Sequence, residues 1–140
     1  MTRIGIAIVE CEDRFLIGIR PEKTTLPGYY EFPGGKQLSK ESTAQTAMRE
    51  CKEETGVDVA SVRLLHQTSF QYEHDQVELD FWLCELRSSS QGNTLALPWQ
   101  WIPRNQLALL KFPPANAEVI EQLTSGIKSS DDQTSKGQLD

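Results

Sequence analysis

One short segment, residues 35–57, places acidic side chains where an isolated α-helix disfavours them. Glu50, Glu53 and Glu54 are spaced i, i+3 and i+4, so they share one helix face, where like charges repel by roughly 0.2–0.5 kcal/mol per pair. Gly56 is typical of the residue that follows a helix end, which puts Glu53 and Glu54 at the end of the helix dipole that disfavours anions. A divalent cation bound by these carboxylates would relieve both penalties, so the segment predicts a functional site.

The sequence around this segment predicts how the helix is held. Ser42 and Gln45 form a capping box, so we expect the helix to begin there and to run to about Thr55. On a wheel of about 100° per residue the apolar stripe lies well away from the acids, and one face therefore packs on a core while the other faces a cleft. The stripe consists of Ala44, Ala47, Met48 and Cys51.

Composition limits the classes of protein that the chain can belong to. A length of 140 residues with 38% hydrophobic residues favours a single domain with its own core. A net charge of −6 argues against direct binding of duplex nucleic acid, which needs a basic face. The three cysteines include no CxxC pair, which argues against a zinc site or a disulfide framework. Without a signal peptide or an apolar run of ~20 residues, we expect a cytoplasmic protein that does not contact membranes.

Hydrophobic periodicity predicts one mixed α/β domain. Short apolar or alternating runs predict strands at 4–9, 15–20, 29–32, 57–65 and 95–102, and a hairpin formed by 66–72 and 77–86. A turn or short helix is expected at 105–110, and a second helix at 115–123. Residues 21–28 and 87–93 are predicted loops, and the polar residues 124–140 are predicted to be a disordered tail after a domain at 1–123.

Residues 35–57 match the Nudix box at every defined position. The chain is therefore identified as a member of the Nudix hydrolase family, although Cys51 fills a position that usually holds a larger aliphatic residue. This resemblance implies an α/β Nudix fold, with a mixed β-sheet sandwiched between helices. It also implies hydrolysis, dependent on Mg²⁺ or Mn²⁺, of a nucleoside diphosphate linked to another group. The matched positions are Gly35, Glu41, Arg49, Glu50, Glu53, Glu54, Gly56 and Val57.

The same resemblance implies a division of labour within the box. Glu50, Glu53 and Glu54, together with the Gly35 carbonyl, are expected to ligate the metal. Glu41 and Arg49 are expected to orient that set and to complete the catalytic group. The Gly34-Gly35 pair suits this arrangement because the absence of side chains lets the backbone come close to a metal or a phosphate.

Two runs outside the box, residues 31–36 (EFPGGK) and 112–116 (FPPAN), resemble the MutT-like branch of the family, which sanitises oxidised guanine nucleotides. The similarity covers about residues 3–123. In that branch the asparagine of the second run reads the oxidised base, so the resemblance gives this role to Asn116. Its carboxamide offers a donor and an acceptor, and oxidation at C8 turns guanine N7 from an acceptor into a donor. The alternative is that Asn116 caps the following helix.

Four further residues are candidates for substrate contacts. Arg20 and Lys36 could bind phosphates, or could be ordinary surface charges. Phe32 and Tyr72 could line the base pocket, or could belong to the core.

One departure from the MutT-like pattern concerns residues 87–102, which contain no acid. Enzymes of this branch often supply a further glutamate from the loop before the tryptophan strand, and here Leu95 or Gln100 falls near that place. Either the helix acids suffice, or Glu78 or Asp80 helps, or the metal number or the rate is reduced.

These patterns together predict a metal-dependent nucleoside triphosphate pyrophosphohydrolase that converts 8-oxo-dGTP to the monophosphate and pyrophosphate. Glu50 is the first candidate for the general base and Glu54 the second. The alternative substrate is a pyrimidine triphosphate such as CTP, or a dinucleoside polyphosphate. Tyr72 keeps the second option open, because tyrosines in this region occur in enzymes that act on dinucleoside polyphosphates. A non-catalytic Nudix-like module is the third possibility, although such modules usually lose box acids. The oligomeric state stays open.

Overall fold

The structure, a computed structural model, describes residues 1–21, 26–88 and 95–125. The other residues lie outside it, and with them half of the loop predicted at 21–28, most of the loop predicted at 87–93 and nearly all of the predicted tail. Within the described ranges no helix is long and apolar enough to span a membrane. The elements are strands β1 (Thr2–Cys11), β2 (Arg14–Ile19), β3 (Tyr30–Glu31), β4 (Gly34–Lys36), β5 (Val59–Gln71), β6 (Gln76–Leu86) and β7 (Gln100–Pro103), α-helices α1 (Thr43–Thr55) and α2 (Ala117–Thr124), and 3₁₀ helices at Arg104–Leu109 and Pro114–Asn116.

Strand β1 is the centre of a mixed sheet with the order β3-β2-β1-β6-β5. It runs parallel to β6 and antiparallel to β2, which pairs with its end, and to β4, which pairs with its beginning. Strand β5 is antiparallel to β6, and β7 is antiparallel to β2. The predicted fold class, α/β with a mixed sheet, is confirmed.

Alternate residues of β1 belong to two different cores, because successive side chains of a strand point to opposite faces. Ala7 and Val9 pack with Ala47 of α1 in one core. Ile8 packs with Val119 of α2 in the other. Helices therefore cover both faces of the sheet, as the Nudix resemblance implies.

Helix α1 begins and ends where its caps predict. The Ser42 hydroxyl accepts a hydrogen bond from the Gln45 N–H at 3.1 Å, and the Gln45 side chain accepts one from the Ser42 N–H at 2.8 Å. Gly56 follows the helix with φ of 82°, in the left-handed region that favours glycine. Ala47 and Cys51 of the predicted apolar stripe are buried, but Ala44 and Met48 are only half-buried. The buried face also contains Thr43, Thr46 and Thr55.

The strand predictions after α1 were partly wrong. Residues 59–71 form one long strand rather than two strands that meet at 65–66. Its pairing with β6 shifts between Ser61 and Arg63 and again between Leu64 and His66. Each irregularity interrupts the two-residue alternation, which is why the sequence pattern indicated a break there.

Two further boundaries differ from the prediction. The strand predicted at 29–32 is followed directly by a second short strand, because Gly34–Lys36 forms β4 and pairs with β1. The tryptophan strand is shorter than residues 95–102, because Pro98 has no N–H to donate and Trp99 donates its own N–H to Ala96 within a turn, so that β7 begins at Gln100.

Candidate active site

Arg49 lies at the centre of the box and connects its acids. Its Nε donates to Glu41 Oε2 at 2.7 Å, and its Nη1 lies 3.1 Å from Glu50 Oε2 and 3.2 Å from Glu53 Oε1. Its Nη2 donates to the Lys36 carbonyl at 3.1 Å, which ties the helix to strand β4. One guanidinium thus fixes the carboxylates of two helix residues and of the loop before the helix.

Glu41 is held from three sides. Besides Arg49, its Oε1 accepts hydrogen bonds from the Leu38 N–H at 3.0 Å and from the Thr46 hydroxyl at 2.9 Å. The hydrogen bond from Arg49 is the largest of the effects that lower the pKa of Glu41 to about 2. A carboxylate this strongly bound stays ionised at neutral pH, which suits an orienting role and does not suit proton transfer.

The glycine pair brings the backbone of β4 against the acidic face of α1. The Gly34 N–H donates to Glu54 Oε1 at 3.2 Å. A Cβ atom on Gly35 would lie 2.3 Å from Glu50 Cδ, so any side chain at this position would displace the Glu50 carboxylate. This close approach is the reason that the position requires glycine.

Burial is the largest cause that raises the pKa of Glu54 to about 7, and the charge of Glu50 adds to it. These carboxylate oxygens are the donors that a hard divalent cation prefers, and such a cation would relieve the repulsion between them. Within the described residues, however, no three acidic, histidine or cysteine side chains already stand together as a metal-binding group. Glu50 and Glu53 are bound to Arg49 instead, and Glu54 to the Gly34 N–H.

A cleft of about 280 Å³ opens beside the glycine pair. Three of the predicted substrate residues line it, namely Arg20, Phe32 and Asn116. Phe32 is also part of the core, where it stacks on Phe112 with ring centroids 5.3 Å apart. The remaining lining residues are Ile4, Ile6, Glu31, Gly34, Gly35, Leu79, Pro113 and Ala115.

Asn116 lies at the first position before α2 but does not cap it. Its side chain makes no capping hydrogen bond to the helix, while its backbone N–H donates to the Pro113 carbonyl at 2.9 Å. The side chain is buried and borders the cleft. The carboxamide is therefore not used as a helix cap.

Two predicted substrate residues lie elsewhere. Lys36 is exposed at the end of β4 and is not among the residues that line the cleft. Tyr72 lies in the turn after β5, with 58% of its surface exposed, and does not line the cleft either.

Sequence reasoning gave Glu31 no role, although the structure places it in the wall of the cleft. Arg20 Nη1 donates to Glu31 Oε1 at 2.9 Å. The signal was present in the sequence, because Glu31 begins the EFPGGK run that carries the family resemblance.

The two acids considered as substitutes for the absent loop glutamate are used differently. Asp80 is buried and accepts hydrogen bonds from the Thr43 hydroxyl at 2.6 Å and from Gln67 at 2.9 Å. Glu78 accepts the other hydrogen bond of the Gln67 amide, also at 2.9 Å. Asp80 is thus bound to the first turn of α1, and within the described residues the contacts of the two acids do not include the acids of the box.

The comparison with known proteins agrees with this geometry. A family model described as NUDIX domain matches residues 5–122, so the chain belongs to the Nudix hydrolases, enzymes that act on phosphoric anhydride bonds.

Within that family the chain is MutT-like. It is 29% identical over 122 residues to the 8-oxo-dGTP diphosphatase of Escherichia coli (strain K12), covering 86% of this chain and 95% of that protein. A solved structure of MutT from a study of Aliivibrio salmonicida and Vibrio cholerae superposes with a TM-score of 0.68 at 25% identity, covering 89% of this chain and 96% of that chain. The chain is also 36% identical over 58 residues to the CTP pyrophosphohydrolase of E. coli (strain K12), covering 41% of this chain and 43% of that protein.

Proposed function

We propose that this protein is a divalent-metal-dependent nucleoside triphosphate pyrophosphohydrolase whose substrates are oxidised guanine nucleotides such as 8-oxo-dGTP. The observation that carries the proposal is the shared edge between two sites. Gly34 and Gly35 contact the acidic face of α1 and also line the cleft that contains Asn116. A nucleotide with its base at Asn116 would thus direct its phosphates toward the acids.

The donor set fits Mg²⁺, with Mn²⁺ as an alternative. Glu50, Glu53, Glu54 and the Gly35 carbonyl would hold the ion, and oxygen ligands of this kind are what Mg²⁺ requires. A bound cation neutralises the charge that develops on phosphate oxygens during transfer. Arg49 would then orient the carboxylates, because it already contacts Glu50 and Glu53.

The reaction is the attack of water on an internal phosphorus, with the nucleoside monophosphate and pyrophosphate as products. The proton of the attacking water goes to a carboxylate of the box, for which Glu50 is the first candidate and Glu54 the second. Arg20, which lines the cleft, would contact a phosphate of the bound nucleotide.

Discrimination against the normal nucleotide would come from Asn116. Its amide oxygen can accept a hydrogen bond from the N7–H that oxidation creates, and its amide nitrogen can donate to O6. In unoxidised guanine N7 is an acceptor, so the amide oxygen would lose its partner. The hydrogen-bonding capacity that is not used to cap α2 supports this role.

Pyrophosphate release from a panel of nucleotides tests both parts of the proposal. We expect turnover in the presence of Mg²⁺, no turnover with EDTA, and a kcat/KM for 8-oxo-dGTP well above that for dGTP. Equal kcat/KM values for these two nucleotides would remove the sanitising function and keep the hydrolase. Absence of turnover on every nucleotide with either Mg²⁺ or Mn²⁺ would leave only the non-catalytic module.

CTP is the second candidate substrate, because one relative at 36% identity over 58 residues is a CTP pyrophosphohydrolase. CTP therefore belongs in the same panel, where the ratio of its kcat/KM to that of 8-oxo-dGTP decides between the two. A dinucleoside polyphosphate receives no support from Tyr72, since that residue does not line the cleft.

A further inference from the structure

The wall of the cleft contains Glu31, a carboxylate to which the proposed reaction gives no role, although its charge is one of the smaller causes that raise the pKa of Glu54. Glu31 borders a space that, under the proposed function, receives a polyanionic nucleotide, and like charges there would weaken binding. Its ion pair with Arg20, at 2.9 Å, offsets the negative charge locally. Only 29% of the Glu31 side chain and 26% of the Arg20 side chain are exposed, so this pair is part of the built wall of the cleft and not a surface pair.

Glu31 keeps unused hydrogen-bonding capacity. Its Oε1 accepts from Arg20, whereas its Oε2 has no hydrogen-bond partner within the part of the chain that the structure describes. An ionised carboxylate has about four acceptor positions, so Arg20 leaves most of them available. Asn116, in the same cleft, has a side chain that is likewise not used to cap its helix.

The rest of the cleft is mostly apolar, with Ile4, Ile6 and Leu79 among the side chains that line it. An apolar cavity with a few convergent polar groups is the usual form of a small-molecule site, in which the polar groups select the ligand. Besides Arg20, two polar side chains line the cleft, and they differ in kind. The amide of Asn116 donates and accepts, while the carboxylate of Glu31 only accepts.

An acceptor-only group faces either a cation, which the Mn²⁺ measurement below distinguishes, or an N–H or O–H donor of the ligand, whereas phosphate oxygens repel it. Guanine presents two adjacent donors, N1–H and the N2 amino group, which match the two oxygens of a carboxylate. Adenine and cytosine present a ring acceptor at the corresponding place, which a carboxylate would repel.

We propose that Glu31 is a specificity-determining residue that accepts hydrogen bonds from the N1–H and N2 amino edge of a guanine base. Asn116 faces the opposite edge, with N7 and O6. The two residues then divide the recognition, because Glu31 selects guanine over adenine and cytosine and Asn116 detects its oxidation. This inference rests on the proposed function and deepens it, since it favours a guanine nucleotide over CTP as the substrate.

Binding of nucleoside monophosphates tests the inference without any hydrolysis. Isothermal titration calorimetry would measure Kd for 8-oxo-dGMP, dGMP, dIMP and dCMP with the full chain and with E31Q. We expect E31Q to weaken binding of the two guanine nucleotides by about 10-fold, as expected for the loss of one good bidentate contact to a base, and to leave dCMP binding unchanged or stronger. Because dIMP lacks the N2 amino group, the E31Q substitution should weaken the binding of dIMP less than the binding of dGMP.

Three variants separate this role from its alternatives. R20Q breaks the ion pair but keeps the Glu31 carboxylate. It should therefore weaken the binding of all the monophosphates by the same factor and preserve the preference for guanine. E31D keeps the charge and should keep most of the preference. E12Q is a matched surface control, because Glu12 also pairs with an arginine, Arg14, at 3.4 Å, but far more of its side chain is exposed. Circular dichroism melts of all variants show whether each one folds.

Several results would overturn the inference. An unchanged ratio of dGMP to dCMP affinity in E31Q would show that Glu31 does not read the base. An equal loss for dGMP and dCMP that disappears with 2′,3′-dideoxy nucleotides would assign Glu31 to the sugar hydroxyl. A change in Mn²⁺ affinity without a change in base preference would assign it to the metal.

The outcome can be told apart from a failure of the proposed function. If the wild-type protein hydrolyses nucleotides and E31Q keeps the same base preference, only the inference about Glu31 fails. If the protein binds guanine monophosphates through Glu31 and releases no pyrophosphate from any triphosphate, the inference stands and the proposed activity fails.

Discussion

The box around Arg49 and the cleft beside it differ in how their polar groups are used. In the box, the carboxylates of Glu41, Glu50 and Glu53 are all bound by the same guanidinium, and the distances lie between 2.7 and 3.2 Å. In the cleft, Glu31 and Asn116 keep acceptors and donors without protein partners among the described residues. In the first region the protein itself fixes the positions of the carboxylates, and in the second a ligand could supply the missing hydrogen-bond partners. Under the proposed function, chemistry would depend on side chains that are bound by other protein groups, and specificity on side chains that are still available to a ligand.

The strongest way to break this comparison is to remove one acid of the box. We expect E53Q to reduce kcat by about 100-fold or more, because a metal-facing charge is lost from a set that stabilises the transition state. Glu53 is exposed on the helix surface, so the melting temperature should change little. Pyrophosphate release measures the effect, with the surface variant E73Q as a control. Near wild-type turnover in E53Q would show that the acid face is not the catalytic site.

Adding one methyl group to the glycine pair is expected to have the next largest effect. In G35A the new Cβ atom would lie 2.3 Å from Glu50 Cδ, so the carboxylate must move away from β4. We expect Mn²⁺ affinity, measured by titration calorimetry, to fall by roughly 10- to 100-fold, the range seen when the support of a metal ligand is disturbed. In the control G28A the new Cβ meets nothing within 4 Å, although the φ of +81° adds a local backbone cost. An unchanged Mn²⁺ affinity in G35A would contradict the assigned position of Glu50.

A smaller effect is expected where the cleft is changed and the box is left intact. N116A should lower the ratio of kcat/KM for 8-oxo-dGTP to that for dGTP by about 10-fold, through the loss of hydrogen bonds to the oxidised base. Stability should be nearly unchanged, because the side chain does not cap α2. N105A replaces an exposed asparagine in the preceding 3₁₀ helix and serves as the control. A large loss of stability without a change in the ratio would return Asn116 to a purely structural role.

The smallest effect concerns the pH dependence of stability. Hydrogen bonds, with the one from Arg49 the largest, lower the pKa of Glu41 from 4.5 to about 2, so the ionised carboxylate stabilises the folded state. That contribution is complete above the unfolded-state pKa and is lost as the pH falls from about 4.5 to about 2. We expect E41Q to lower the free energy of unfolding by about 1 kcal/mol at pH 7, and the difference from wild type to shrink in acid.

Urea unfolding between pH 7 and pH 3 measures this difference. E12Q, which removes a largely exposed carboxylate, should show no such trend. A difference between E41Q and wild type that stays constant over the whole pH range would mean that Glu41 acts through its shape and not through its charge.

The sequence was most informative where contacts are local. The capping box, the left-handed Gly56 and the spacing of the acids all lie within one helix and its ends, and each was predicted and found in place. The length of strand β5 was harder to predict, because its two shifts in register interrupt the alternation on which strand prediction depends.

The cleft could be predicted only in part, since its walls come from distant segments. Arg20, Phe32 and Asn116 were proposed through the family resemblance and share the cleft, whereas Lys36 and Tyr72 do not line it. The role of Glu31 depends on its distance from Arg20, which follows from the pairing of β2 with β3 and is not visible in residue spacing.

Strand β1 has a consequence for how this protein can change over time. Gly5, Ala7 and Val9 face α1, and a Cβ atom on Gly5 would fall 2.2 Å from the Thr43 carbonyl. Ile4 and Ile6 face the other way and line the cleft. The two sets of residues alternate along one strand but contact different parts of the protein. Under the proposed function, substitutions at Ile4 and Ile6 would change which bases the cleft accepts, while the face of β1 that supports α1 would stay the same.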